Sequence, residues 1–211
     1  MDNILTKDDL LNKLRSYANN PDDDNVRYKN IIKKKLLNCP ELLYAFNNKE
    51  LEQELFDENG NILMDDEGNL IGEVDRYFGN HSHIRPILFF PETETDVENY
   101  LCYQIQTNDA SAFNNAQKIT QVVFTIFVHG QDVIDDLTGI PRHDLIASII
   151  REKFNWTNIF GPQTYLCSNK ETLIDNNYLV RTLMFELTDT NGIVNTPHGY
   201  PSTVINYHSR R

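Results

Sequence analysis

The chain has 211 residues, with 19 Lys and Arg against 31 Asp and Glu, a formal net charge of -12. That acid excess excludes a protein that coats duplex DNA, because such binding neutralises phosphates with Lys and Arg. The apolar content of 40% excludes a chain disordered throughout, and the length suits one domain with decoration.

The first third carries helical spacing. Thr6 caps a helix with Asp9 three residues on and Leu10, Leu11, Leu14 and Tyr17 along one side. Asn19-Asn20-Pro21 stops it. A second helix starts at Asp22, Asp23 and Asp24, where the dipole favours acids, and ends near Lys33, Lys34 and Lys35, where it favours cations. This lysine run reads as a solvated helix end rather than a nucleic-acid patch. Tyr28, Ile32 and Leu36 form its apolar stripe. Pro40 opens a third helical pattern carrying Leu42, Leu43, Phe46, Leu51 and Leu55.

A near repeat follows, Asp57-Glu58-Asn59-Gly60-Asn61 and then Asp66-Glu67-Gly68-Asn69, each leading into an apolar pair. Gly and Asn accept positive φ, so the segment reads as a hairpin-like pair of short strands. A calcium loop of the EF-hand kind needs Gly at position six and Glu at position twelve, and neither register supplies both.

From Ile84 the period changes to two. Ile84 to Phe90 is expected as a strand with Pro86 near its start or on an edge, and Val97 to Gln106 as a second through Leu101, Tyr103 and Ile105. Thr107 to Gln117 reads as a long hairpin tip. Ile119 to His129 alternates cleanly, with Val122, Phe124, Ile126 and Val128 on one face, and Val123 and Phe127 making the other face partly covered. Thr138-Gly139-Ile140-Pro141 leads into a helix whose apolar face is Leu145, Ile146, Ile149, Ile150 and Phe154. Asn158 to Pro162 is a break, Thr164 to Cys167 a short strand, and Tyr178 to Leu187 a long one. The end, from Asp189, has no period but is rich in apolar residues and reads as an arm that docks on a neighbour. The division expected is a helical region over 1–80, an α+β core over 81–188 and a C-terminal arm over 189–211.

Chemical motifs are sparse. Cys39, Cys102 and Cys167 form no CxxC, so reduced thiols are expected. Met1 to Leu11 lacks a basic region followed by an apolar run, and Val122 to Val128 is far too short to cross a bilayer. His81-x-His83 is the nearest approach to a metal pair, but it reads as a surface loop with two histidines. His143-Asp144 and His129 could each be half of an acid–base pair, yet no GxSxG, HExxH, GxGxxG or GxxxxGK[ST] occurs. No catalytic residue, metal or cofactor is expected, and the chain is not read as an enzyme.

The block Ile119 to Phe154 resembles a known family. The strand ending Thr125-Ile126-Phe127-Val128-His129, then Gly139-Ile140-Pro141-Arg142-His143-Asp144-Leu145-Ile146 and an amphipathic helix, is similar to the tail-terminator proteins of tailed bacteriophages. The resemblance covers residues 84 to 188. It implies an α+β fold, an antiparallel sheet of four to five strands with a helix on one face. It also implies a ring, usually of six subunits, that ends the tail tube and joins it to the head connector. DNA would pass through the lumen without specific binding, no membrane would be involved, and the protein would be made in the host cytoplasm and sit in the virion neck. The Asp57 to Asp75 insertion and the C-terminal arm depart from the minimal family plan, which keeps another head–tail adaptor open. Candidate interface residues are Asn108, Phe113 and Asn114 in the loop, Val194, Tyr200 and Tyr207 in the arm, and Arg142 and Asp144 as a pair across subunits. Two other readings stay in view. One is a small cytoplasmic metal-dependent enzyme using His81, His83 and His129; the other is an adaptor that binds a partner through residues 1 to 55.

Overall fold

Alternating β-branched and aromatic residues produce five strands, and the helical patterns produce five helices, among the residues described. The computed structural model describes residues 6–18, 24–88, 97–108, 117–174 and 178–190. In chain order these are α1 (Lys7–Ala18), α2 (Asp24–Leu37), α3 (Pro40–Ala45), α4 (Lys49–Glu52), β1 (Ile84–Arg85), β2 (Tyr100–Asn108), β3 (Gln117–His129), α5 (Arg142–Phe154), β4 (Tyr165–Ile174) and β5 (Tyr178–Thr190). A 3₁₀ turn at Val74–Tyr77 precedes β1. The strands form one sheet in the order β1-β2-β3-β5-β4. All neighbours are antiparallel except β1, which runs parallel to β2. The fold is α+β.

Register explains where the core lies. Val122 faces Phe185, and Phe124 faces Leu183, so one parity of β3 meets one parity of β5 on a single face. Tyr103 and Leu101 of β2 join them on the same side. Ile146, Ile150 and Phe154 of α5 cover that face together with Tyr28, Ile32 and Leu36 of α2. The Phe124 ring lies 4.7 Å from Phe154 and edge-on to Phe185 at 5.8 Å, a geometry that adds to plain area burial. The opposite face holds a smaller buried group of Tyr100, Cys102, Phe127, Tyr178 and Val180. Phe127 breaks the polar alternation for this reason.

Several boundaries differ from the expected ones. The third helical pattern is two helices, because Asn47 adopts φ 57° and Asn48 then caps α4 by accepting from the Glu50 and Leu51 amides. The strand expected over Ile84 to Phe90 is confined to Ile84–Arg85, since Pro86 has no N–H to continue the ladder; residues 89 and 90 lie outside those described. β4 extends to Ile174, well past Cys167, because Arg181, Thr182 and Val180 of β5 pair with it. The bulge between Leu166 and Ser168 hides that length from a period-two reading. Trp156 turns the chain between α5 and β4 at φ 58°, its N–H donating to the Thr164 carbonyl at 2.8 Å, and leaves its ring 67% exposed beside Tyr165.

The near repeat is an eight-residue unit, running from Leu55 to Ile62 and again from Leu63 to Leu70. In each turn one aspartate closes its own loop. Asp57 accepts from the Asn59 and Asn61 amides at 2.8 Å, and Asp65 from Glu67 and Asn69 at 3.0 and 2.7 Å. Gly60 and Gly68 both sit at φ 81°, where a side chain is strained. The units stack by Leu63 N–H to Leu55 C=O and Ile71 N–H to Leu63 C=O. The acids here are spent on backbone amides, which hold both carboxyls below the usual range.

Gly72 ends the stack against the backbone of Glu54, and a methyl at that position would overlap the Glu54 carbonyl. Gly72→Ala is expected to destabilise the protein by roughly 1–3 kcal/mol, the usual range for overpacking. Urea unfolding with the slope unchanged checks it.

Candidate functional site

The start of α5 is the most polar buried place among the described residues. Arg142 occupies the first helical position with 3% exposure. A cation there faces the positive end of the helix dipole, so something must hold it. Asp132 and Asp135, on the loop between β3 and α5, do so. The Arg142 guanidinium lies 3.0 Å from each Asp132 carboxylate oxygen and 3.3 Å from Asp135. It also donates to the Ala45 carbonyl at 3.1 Å, which ties the end of α3 to α5.

Asp132 is the hub of a wider net. It accepts from Asn47 at 3.0 Å and from Asn99 at 2.6 Å. Asn99 in turn donates to the Phe46 carbonyl and accepts from the His129 amide. Asp135 accepts from the Thr138 hydroxyl and amide, and these bonds, helped by Arg142, hold its carboxyl below the usual range. A pocket of about 200 Å³ opens beside this net between Tyr44, Asn48, Tyr77, Leu137 and Arg142.

A second polar group lies one residue further along α5. His143 is buried, and its Nε2 lies 3.8 Å from Asp144 and 3.5 Å from Glu171 of β4. These three residues bring ligand atoms within 4.8 Å of one another, a spacing that could hold a metal ion. Arg181 already sits between the acids, 2.5 Å from Asp144 and 3.1 Å from Glu171. The register places Arg181 opposite Glu171 and next to Ile126, on the helix side of the sheet. A metal would have to displace a guanidinium that already pairs with both carboxylates. The arrangement is best suited to pinning the first turn of α5 to β4 and β5.

His83 departs from the surface loop expected of it. It is 4% exposed, because Phe46 stacks on it at 5.3 Å and Tyr77 and Tyr100 close the sides. Its Nδ1 lies 2.7 Å from the Asn99 carbonyl and its Nε2 2.9 Å from the Asn48 amide nitrogen. Burial lowers its pKa below the ordinary 6.5, against the opposing hydrogen bond to Asn99. His81 is exposed, and His129 accepts from the Gln131 amide at 3.2 Å.

The expected interface residues fall in different places. Arg142 finds Asp132, Asp135 and Ala45 within its own chain, and Asp144 finds Arg181. Asn108 closes β2 opposite Ile119. Phe113, Asn114, Val194, Tyr200 and Tyr207 lie outside the described residues. Sequence reasoning missed Asp132, Asn99, Glu171 and Arg181. The only signal was two aspartates three apart ahead of an arginine at a helix start, where cations are disfavoured.

Comparison with known proteins gives one family. A family model described as YomW matches residues 8–187, which spans every strand except the end of β5. YomW is a phage-derived family. No curated protein matches the chain.

Arg142→Leu leaves Asp132 and Asp135 without their cation and is expected to cost about 3–5 kcal/mol, the range for breaking a buried pair. Arg142→Lys should recover less than half of that, because a point ammonium cannot bridge both carboxylates. Denaturant midpoints of the three proteins check this order. His83 carries a separate prediction. Its lowered pKa means that the unfolded chain binds the proton first, so its stabilising effect is full above pH 6.5 and falls as pH drops below it. His83→Gln should flatten the stability profile just below pH 6.5 relative to the parent, read by urea unfolding at closely spaced pH.

Proposed function

We propose that this chain, which belongs to the YomW family, is a structural virion protein of a phage neck, a ring that ends the tail tube and meets the head connector. The observation that carries the reading is the α+β core itself. A sheet with α5 on one face, entered through Arg142-His143-Asp144, is the arrangement implied by the resemblance over residues 84 to 188, and it occurs in a chain of a phage-derived family. The polar net at the start of α5 supports a mechanical rather than a catalytic role. Buried Arg142 is paired with the half-buried Asp132 and Asp135, and these groups hold loops in place beside a pocket of only about 200 Å³. On this reading the chain is not an enzyme and needs no cofactor.

The charge fits the same role. A duplex passing through a strongly basic wall would bind it by counterion release, whereas an acidic wall lets it slide. With a net charge of -12, the subunit would conduct DNA without holding it. The partners would be five further copies of the chain, the tail tube protein on one side and connector proteins on the other. A head–tail adaptor in the adjoining layer of the neck is the nearest alternative. The metal-enzyme alternative has less support, because His83 is committed to Asn48 and Asn99 while His81 stands exposed apart from it.

Electron microscopy of the purified full-length protein tests the reading. A closed ring with a central hole, six-fold in its class averages, is the expected result. A chain that stays monomeric at high concentration and is absent from purified virions would overturn it. Mixing rings with isolated tail tubes separates a terminator, which caps tube ends, from an adaptor, which does not.

A further inference from the structure

Among the described residues the molecule carries an apolar stripe and, apart from it, a groove of mixed lining with an apolar part. On α1, Leu10, Leu11 and Leu14 are 50%, 38% and 63% exposed, and every residue from Thr6 to Arg15 is exposed. The helix is well started, since Thr6 and Asp9 exchange hydrogen bonds as a capping pair. A short helix in water gains little unless its apolar face is buried. The groove lies along α2, where Leu37, itself buried, and the half-buried Leu70 and Val74 are the three apolar residues among the nine that line a space of about 630 Å³. No described side chain of α1 lines it.

Charge and spacing match the two. Lys34 stands exposed on the groove wall, with no ion pair among the described residues, and Leu37 follows it three positions on. Asp8 of α1 is likewise exposed without a partner among those residues, and Leu11 follows it three positions on. Two helices laid parallel therefore set Asp8 against Lys34 and Leu11 against Leu37 together. Leu37 is the one apolar α2 position on the groove, the others being Asn30, Lys33 and Lys34, with Asn38 just past the helix end. An antiparallel alignment would carry the leucines towards Asn30 instead.

The geometry points to a second copy of this chain as the occupant: α1 of one subunit docks, parallel to α2, in the groove of the next. The chain's own α1 cannot reach that alignment. With Asp8 level with Lys34, the end of α1 and the start of α2 lie about 30 Å apart at 1.5 Å per residue. Residues 19–23 separate the two helices, and six extended links cover only about 20–22 Å. Because helix and groove are different surfaces, the contact is head-to-tail, the kind that closes into a ring or runs on as a filament. It uses the helix-in-groove mode, with anchors at i and i+4. It does not depend on the virion reading, since it concerns only contact between copies.

The test uses the full chain. Sedimentation equilibrium of Leu14→Glu is expected to show self-association weakened at least tenfold, with circular dichroism unchanged because Leu14 is exposed. Asp8→Lys and Lys34→Glu should each weaken association severalfold, and the double variant should recover most of it. A chain with Leu11→Cys and Leu70→Cys, mixed as isotopically light and heavy forms, should give light–heavy disulfides on oxidation. A parent chain that is monomeric throughout, association indifferent to Leu14→Glu, or a disulfide between positions 11 and 70 formed only within one chain would each overturn the proposal. A chain absent from virions that still associates through α1 would leave it standing.

Discussion

The rest of the structure hangs on one buried cation. Arg142 stands at the start of α5, where the helix dipole opposes it, and Asp132 and Asp135 supply the charge that keeps it there. Those two acids in turn draw in Asn47, Asn99 and Thr138, while the guanidinium reaches the Ala45 carbonyl. The helical third, the start of β2, the end of β3 and α5 are therefore tied at one point. Burial of Phe124 against Phe154 supplies area, but area alone does not choose the angle at which α5 meets the sheet. The directional bonds of the guanidinium add a fixed point at the first turn of α5. The second polar group, with Arg181 between Asp144 and Glu171, repeats the device two residues on and fixes the same helix turn to the far edge of the sheet.

Periodicity carried most of the fold. Period-two alternation located β2, β3 and β5 and named the right core residues, because each strand has one face on the helices. The face of α5 was legible for the same reason. What failed was where local chemistry overrides the pattern. Asn47 in the left-handed region splits a continuous apolar spacing into α3 and α4. A bulge conceals half of β4, and the pairing that extends it comes from β5, later in the chain. His83 gave no sign of burial, since the rings that enclose it come from positions 46, 77 and 100. The eight-residue repeat was visible as two acidic turns. Its stacking became clear only once Leu55, Leu63 and Ile71 were seen to share a column.

The candidate site was less legible than the fold. Arg142 and Asp144 stood out by position, but their partners come from the loop before the helix and from strands after it. Long-range pairing of this kind leaves no spacing in a single sequence. The family match is to a phage-derived family, and the charged residues at the start of α5 tie separate elements of the fold together. Two acids of the repeat, Asp57 and Asp65, serve to close their own turns through backbone amides.

The lone tryptophan of the chain adds a practical consequence. Trp156 lies outside the core, two-thirds open to water, at the corner between α5 and β4. Its surroundings in the folded protein already resemble those in the unfolded one. Its emission is thus a poor witness to loss of the core and a good one to anything that covers that corner, so a blue shift on mixing copies or particles would mark contact at this end of the helix rather than folding.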